Sequence, residues 1–172
     1  RLSAMPAART DGYPDKLKPD SNKMKNKVDV SEIARMIDHS LLHPTMTDEE
    51  LKNECKVAIK YGVASVCIKP YAVRLAKSLL QGTNVKVGTV VGFPHGNSSI
   101  EAKVFETEQV CREGAEEVDM VVNVGKVLSR DWEYLRSEIG EMVTTTHRNR
   151  AILKVIFEND FLPEDELKIQ LC

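Results

Sequence analysis

Five short apolar runs, beginning near Ile37, Ser65, Lys86, Val118 and Ile152, recur at spacings of 28, 21, 32 and 34 residues. Between them lie segments whose apolar residues repeat at helical intervals, the pattern of a helix with one buried face. That much chain between strands accommodates a crossover helix, so the strands are expected to run parallel and the fold to be α/β. Two architectures satisfy the pattern. An open doubly wound sheet would be complete with five strands, whereas a (β/α)8 barrel takes about 250 residues and would here be represented by its first five βα units.

Local signals place the boundaries. Asp29 with Glu32, Thr47 with Glu50, and Ser98 with Glu101 have the spacing of a capping box and mark three helix starts. Gly62 and Gly114 suit helix C-termini. Strands are expected over residues 35–42, 64–69, 85–93, 118–122 and 151–158. Leu51, Cys55, Ala58 and Ile59 fall on one helical face. So do Val73, Ala76, Leu79 and Leu80, then Ile100, Val104, Phe105 and Cys111, and finally Trp132, Leu135, Ile139 and Met142. A polar turn is expected at residues 146–150, and a last helix opens at residues 162–166.

One residue is out of place in this scheme. Asp119 interrupts the apolar run Val118, Met120, Val121, Val122. Removing an ionised carboxylate from water costs several kcal/mol or more unless it is paired, so this acid is either a structural partner of a lysine on the next strand or a working group. Asp38, Cys67, Thr89, Asn123, Lys154 and Glu158 are further polar residues spread over the strands. A barrel gathers such residues around one central site, and the set therefore favours the barrel. No G-x-G-x-x-G follows the first strand and no G-x-x-x-x-G-K-[ST] occurs, which leaves nucleotide binding by an open sheet unsupported.

Residues 1–28 carry seven Lys/Arg and three Asp, leaving 17 basic and 23 acidic residues for the rest. No concentrated basic face calls for nucleic acid, and no apolar segment is long enough to call for a membrane. The basic, Pro- and Asn-containing residues 1–28 are expected to form a disordered N-terminal extension, and residues 29–172 the folded domain. Cys55, Cys67, Cys111 and Cys172 lack C-x-x-C spacing and read as reduced thiols of a cytoplasmic protein, not as disulfides or zinc ligands. His39 and His43 flank the end of a strand, where a four-residue interval shares no helical face. His95 lies in a turn, His147 lies beside two arginines, and no metal centre is expected.

Five blocks, taken in order, carry a resemblance. Residues 37–42 (IDHSLL), 64–68 (ASVCI), 88–96 (GTVVGFPHG), 114–123 (GAEEVDMVVN) and 153–158 (LKVIFE) together resemble the deoxyribose-phosphate aldolase family, from about Val30 to the C-terminus. The resemblance implies a class I aldolase on a (β/α)8 barrel, a carbon–carbon lyase of deoxyribonucleotide catabolism. It would join acetaldehyde reversibly to glyceraldehyde 3-phosphate, giving 2-deoxyribose 5-phosphate, through a lysine imine with no metal and no cofactor. Asp119 matches the family's proton-relay aspartate. Lys154 is read as a pocket lysine that holds Asp119 charged, with Asp38 and Cys67 as further pocket support; for Cys67 a plain core position is the competing reading. The implied partners are small phosphosugar and aldehyde substrates and, at most, a second copy in a homodimer.

The family's imine-forming lysine belongs to a Lys-Thr-Ser-Thr-Gly segment on a sixth strand, which these 172 residues do not contain. Taken alone, the chain is expected to be inactive and to represent the N-terminal portion of an aldolase. The alternative is a non-catalytic truncated barrel or pseudoenzyme that acts as a binding protein. Lys154 is not expected to replace the missing nucleophile, because a neighbouring carboxylate stabilises its ammonium form.

Overall fold

In the computed structural model, which describes residues 29–172, the strands are β1 (Asp38–Leu41), β2 (Ser65–Ile68), β3 (Lys86–Val91), β4 (Glu117–Val121) and β5 (Ile152–Ile156). All neighbouring pairs are parallel, and the spatial order is the chain order, β1-β2-β3-β4-β5. This order decides between the two architectures. A doubly wound sheet reverses direction at a switch point, whereas a barrel adds each new strand on the same side of the last. The expected disordered extension, residues 1–28, lies outside the described residues.

The helices are α1 (Val30–Ala34), α2 (Asp48–Tyr61), α3 (Val73–Leu79), α4 (Ile100–Glu113), α5 (Val124–Leu128), α6 (Trp132–Arg148) and α7 (Asp165–Leu171). One parity of strand residues, including Leu41, Val66, Ile68, Val87, Val91, Val118 and Met120, packs against Leu51, Cys55, Ala58, Val73, Ala76, Val110 and Met142 of the helices. The opposite parity faces inward. Thr47 and Glu50 form the capping box of α2, and Gly114 closes α4 in the left-handed conformation.

Several boundaries differ from expectation, each for a local reason. Arg35 to Ile37 form no strand, because Met36 and Ile37 donate to Ile33 O and Ala34 O in turns that extend α1. Asp29 caps α1 through Ser31 N–H, not through a box with Glu32. The α4 cap is Ser99, one residue later than Ser98. Ile59 and Phe105 are exposed; the inward line of α4 runs through Lys103, Thr107 and Val110, which turns Phe105 to the outside. The polar turn expected from residue 146 starts only after Arg148, since Thr146 donates its hydroxyl to Met142 O and stays in the helix. Helix α5 was not expected; Asn123 caps it by accepting from Lys126 N–H.

The sheet is strongly curved. Four strand spacings would separate β1 from β5 by about 19 Å in a flat sheet. Yet Lys154 on β5 reaches Asp38 on β1, with Nζ and Oδ2 2.7 Å apart. Only a sheet rolled toward closure brings those side chains together across its concave face.

Candidate active site

The inward residues of β1, β2, β4 and β5 converge on Lys154. Its ammonium lies 2.7 Å from Asp38 Oδ2, 3.1 Å from Asp119 Oδ1 and 3.2 Å from Glu117 Oε2. Strand register explains the contact with Asp119, since Asp119 and Lys154 are paired positions on β4 and β5. Cys67 Sγ donates to Asp119 Oδ2 at 3.6 Å, and Ser65 Oγ donates to Asp38 Oδ1 at 2.6 Å. Glu117 reaches Lys86 as well, at 3.1 Å, and so bridges two lysines. Asp119 Oδ1 is buried, and its contact with Lys154 is off the hydrogen-bonding direction; the atom has no hydrogen-bond partner among the described residues.

The same contacts set the proton affinities. Burial raises the Asp119 carboxyl above its ordinary range, against the opposing charge of Lys154. Burial also pulls Lys154 down, but hydrogen bonds to Asp38 and the charge of Asp119 outweigh it and hold the ammonium above the usual lysine value. Asp38 is lowered: its desolvation is overcome by hydrogen bonds from Lys154 and Ser65. Burial first, and then the Asp119 charge, push the Cys67 thiol up to about 12. A thiol held protonated is a poor nucleophile. Iodoacetamide at pH 8 is therefore expected to label exposed Cys172 and to spare Cys67, as read by peptide mass mapping; equal rates at the two would contradict this environment.

Of the polar residues singled out in the sequence, the structure brings together Asp38, Cys67, Asp119 and Lys154. Thr89 faces the helices and donates to Ile68 O, and Asn123 serves as the α5 cap. Glu158 lies beyond β5, with φ 56°. Glu117 and Ser65 were missed, although Glu117 stands two residues before Asp119 and so shares its face. His39 pairs with Glu54 and His43 with Thr45. Among the described residues, no group of three or more His, Cys, Asp or Glu is placed to hold a metal ion, and no helix is long and apolar enough to cross a membrane. A cavity of about 640 Å³ lies outside this centre, between α6 and α7, lined by Trp132, Leu135, Ile139 and Leu171 among others.

A carboxylic acid with raised proton affinity, one oxygen of which faces an ammonium without accepting a hydrogen bond, is equipped to take up and return a proton. The comparisons with known proteins agree in pointing to an aldolase. The family described as "DeoC/LacD family aldolase" matches residues 33–165. The chain belongs to that aldolase family. Deoxyribose-phosphate aldolase of Rhodopirellula baltica is 48% identical over 141 residues, which are 82% of this chain and 58% of that protein. Deoxyribose-phosphate aldolase of Caldanaerobacter subterraneus is 45% identical over 150 residues, 87% of this chain and 64% of the relative. The chain thus spans about three fifths of the length of these curated relatives.

Solved aldolases share the fold. A crystal structure described as a deoxyribose-phosphate aldolase from Coccidioides immitis superposes with a TM-score of 0.77 at 34% identity, over 83% of this chain and 55% of that one. The tetrameric deoxyribose phosphate aldolase of Aeropyrum pernix gives a TM-score of 0.75 at 30% identity, over 83% and 59%. The five units of this family member therefore make up the first part of a (β/α)8 barrel.

Proposed function

We propose that residues 29–172 are the N-terminal five βα units of a deoxyribose-phosphate aldolase, which cleaves 2-deoxyribose 5-phosphate reversibly to glyceraldehyde 3-phosphate and acetaldehyde. The observation that carries the reading is the Asp119–Lys154 centre on the concave face of a chain belonging to the aldolase family. A lysine imine with the aldehyde serves as the electron sink. Asp119 relays the proton at the adjacent carbon, through the oxygen that has no hydrogen-bond partner. Lys154 keeps Asp119 ionisable despite its burial. Asp38 holds Lys154, and Cys67 orients Asp119.

Lys154 is not the imine former in this scheme, because its carboxylate neighbours favour the ammonium over the free amine that attacks a carbonyl. The 172-residue chain alone is accordingly inactive. The reading includes a cytoplasmic location, supported by free cysteines, and self-association. The sequence suggested a homodimer, whereas the Aeropyrum pernix relative is described as tetrameric.

The test is intact mass before and after treatment with acetaldehyde and borohydride, which turns an imine into a stable ethyl adduct. The 19.3 kDa chain is expected to gain nothing, while the protein isolated from its source is expected to be heavier and to gain the adduct. An adduct at Lys154 of the short chain would overturn the assignment of roles. A source protein of 19.3 kDa that gains no adduct would leave a non-catalytic barrel fragment.

A further inference from the structure

We propose that the buried Lys103–Glu138 pair is a positioning device for Asp119, fixing the exit of β4 from behind the sheet. Both side chains are 0% exposed, and neither belongs to the concave-face cluster. Lys103 on α4 donates from Nζ to Glu138 Oε1 at 2.6 Å and to Val121 O at 2.8 Å. Glu138 on α6 accepts with its other oxygen from Asn123 N–H at 3.0 Å. The pair thus grips the backbone on either side of Val122, just past the end of β4, with Asp119 two residues before Val121.

The surroundings are shaped around this grip. Gly92, at the exit of β3, has φ 62°, and a Cβ there would lie 2.8 Å from Lys103 Cε. The same residue donates its N–H to Glu106 Oε2 at 2.9 Å, so α4 holds the exits of β3 and β4 together. The turn that follows β3 sits so close to β4 that a side chain at Gly96 would collide with Val122 O.

A fully buried ion pair is a poor stabilising device, because desolvation offsets much of the attraction and an apolar pair of similar volume often serves as well or better. What this pair supplies that an apolar pair cannot is directional bonding to two backbone groups that the sheet ladder leaves over. The backbone between those bonds and Asp119 is strand, about 7 Å long and stiff. A displacement of the exit therefore passes to the carboxylate, and about 1 Å of misplacement at a reacting group is enough to cost on the order of 100-fold in rate.

The significance of the device rests on the proposed relay role of Asp119. Its test needs no turnover, so a failure here and a failure of imine trapping are separate results. In the 172-residue chain, the Asp119 carboxyl is titrated by carbon NMR and backbone amide exchange is followed alongside thermal unfolding. In the wild type, Val122 and Asn123 amides are expected to exchange as slowly as that of Met120; exchange at exposed-loop rates would overturn the proposal.

The variant Lys103→Met/Glu138→Leu removes the grip while keeping the volume apolar. It is expected to remain folded, to accelerate exchange at Val122 and Asn123 about tenfold or more, and to shift the Asp119 midpoint down, toward the ordinary carboxylate value, as water reaches the loosened strand. Glu138→Gln keeps an acceptor for Asn123 or for Lys103 and is expected to hold the midpoint closer to wild type than the double variant does. An altered unfolding temperature with an unmoved Asp119 midpoint in the double variant would mean a structural pair only and would sink the idea.

Discussion

Glu138→Ala is expected to destabilise the fold by about 3–5 kcal/mol, because it strands the fully buried Lys103 ammonium without its ion-pair partner. Domain stabilities are on the order of 5–15 kcal/mol, so a loss of this size takes away a large share of the total. The mechanism has three parts. The ion pair is lost, the Asn123 N–H loses its acceptor, and a void opens beside Lys103. Replacing both partners by apolar residues removes the stranded charge and is expected to cost far less than the single change. Urea unfolding of the wild type, the single variant and the double variant forms the comparison. A single-variant loss below about 1 kcal/mol would show that water or another group reaches Lys103.

The contrast between this pair and the concave-face cluster shows what a sequence discloses. Asp119 stands out because strand residues alternate with period two, and an acid amid Val118, Met120, Val121 and Val122 has no solvent-exposed reason to be there. Lys154, read from the sequence as the lysine that holds Asp119 charged, is its register partner on β5. The period-two argument also covered Glu117, two residues upstream, which went unnoticed as one of two consecutive glutamates. Lys103 and Glu138 carried no such mark. They lie 35 positions apart on two helices, where charged residues ordinarily face water, and only the packing of α4 against α6 turns them toward each other.

Element type and order were legible because hydrophobic period and βα spacing encode them directly. Boundaries were less so, since they depend on hydrogen bonds a linear pattern does not show. Thr146 remains helical because its hydroxyl finds Met142 O, and Met36 leaves the expected strand because its N–H finds Ile33 O. Strand membership was also an insufficient guide to the site. Thr89 has the wrong parity, and Glu158 lies past the point where β5 ends.

Lys154→Met is expected to destabilise the chain by about 1–2 kcal/mol at pH 7, with a penalty that shrinks on acidification. The figure is set below that for a fully buried pair because the Lys154 and Asp38 side chains are 36% and 41% exposed, and solvent screens them. The pH dependence follows from the direction of each shift. Asp38, lowered in the folded state, contributes stability above its ordinary value of 3.8, and that contribution is lost as pH falls through the folded value. Lys154, raised above 10.5, contributes below that pH and loses its effect as pH climbs through the folded value. Asp119, raised by burial, acts in the opposite sense to Asp38: the folded state is favoured as Asp119 takes up its proton.

Without Lys154, the Asp38 contribution falls away and the Asp119 carboxyl rises further. Between pH 7 and 4 both proteins therefore gain as Asp119 takes up its proton, the variant more so because its Asp119 carboxyl is raised further, and the two unfolding free energies should converge; the Asp38 contribution of the wild type is lost only below 3.8. Denaturant unfolding at several pH values in that window measures the convergence directly. A gap that stays constant with pH would mean that Lys154 acts through the packing of its methylene chain, and that its charge does not govern the carboxylates around it.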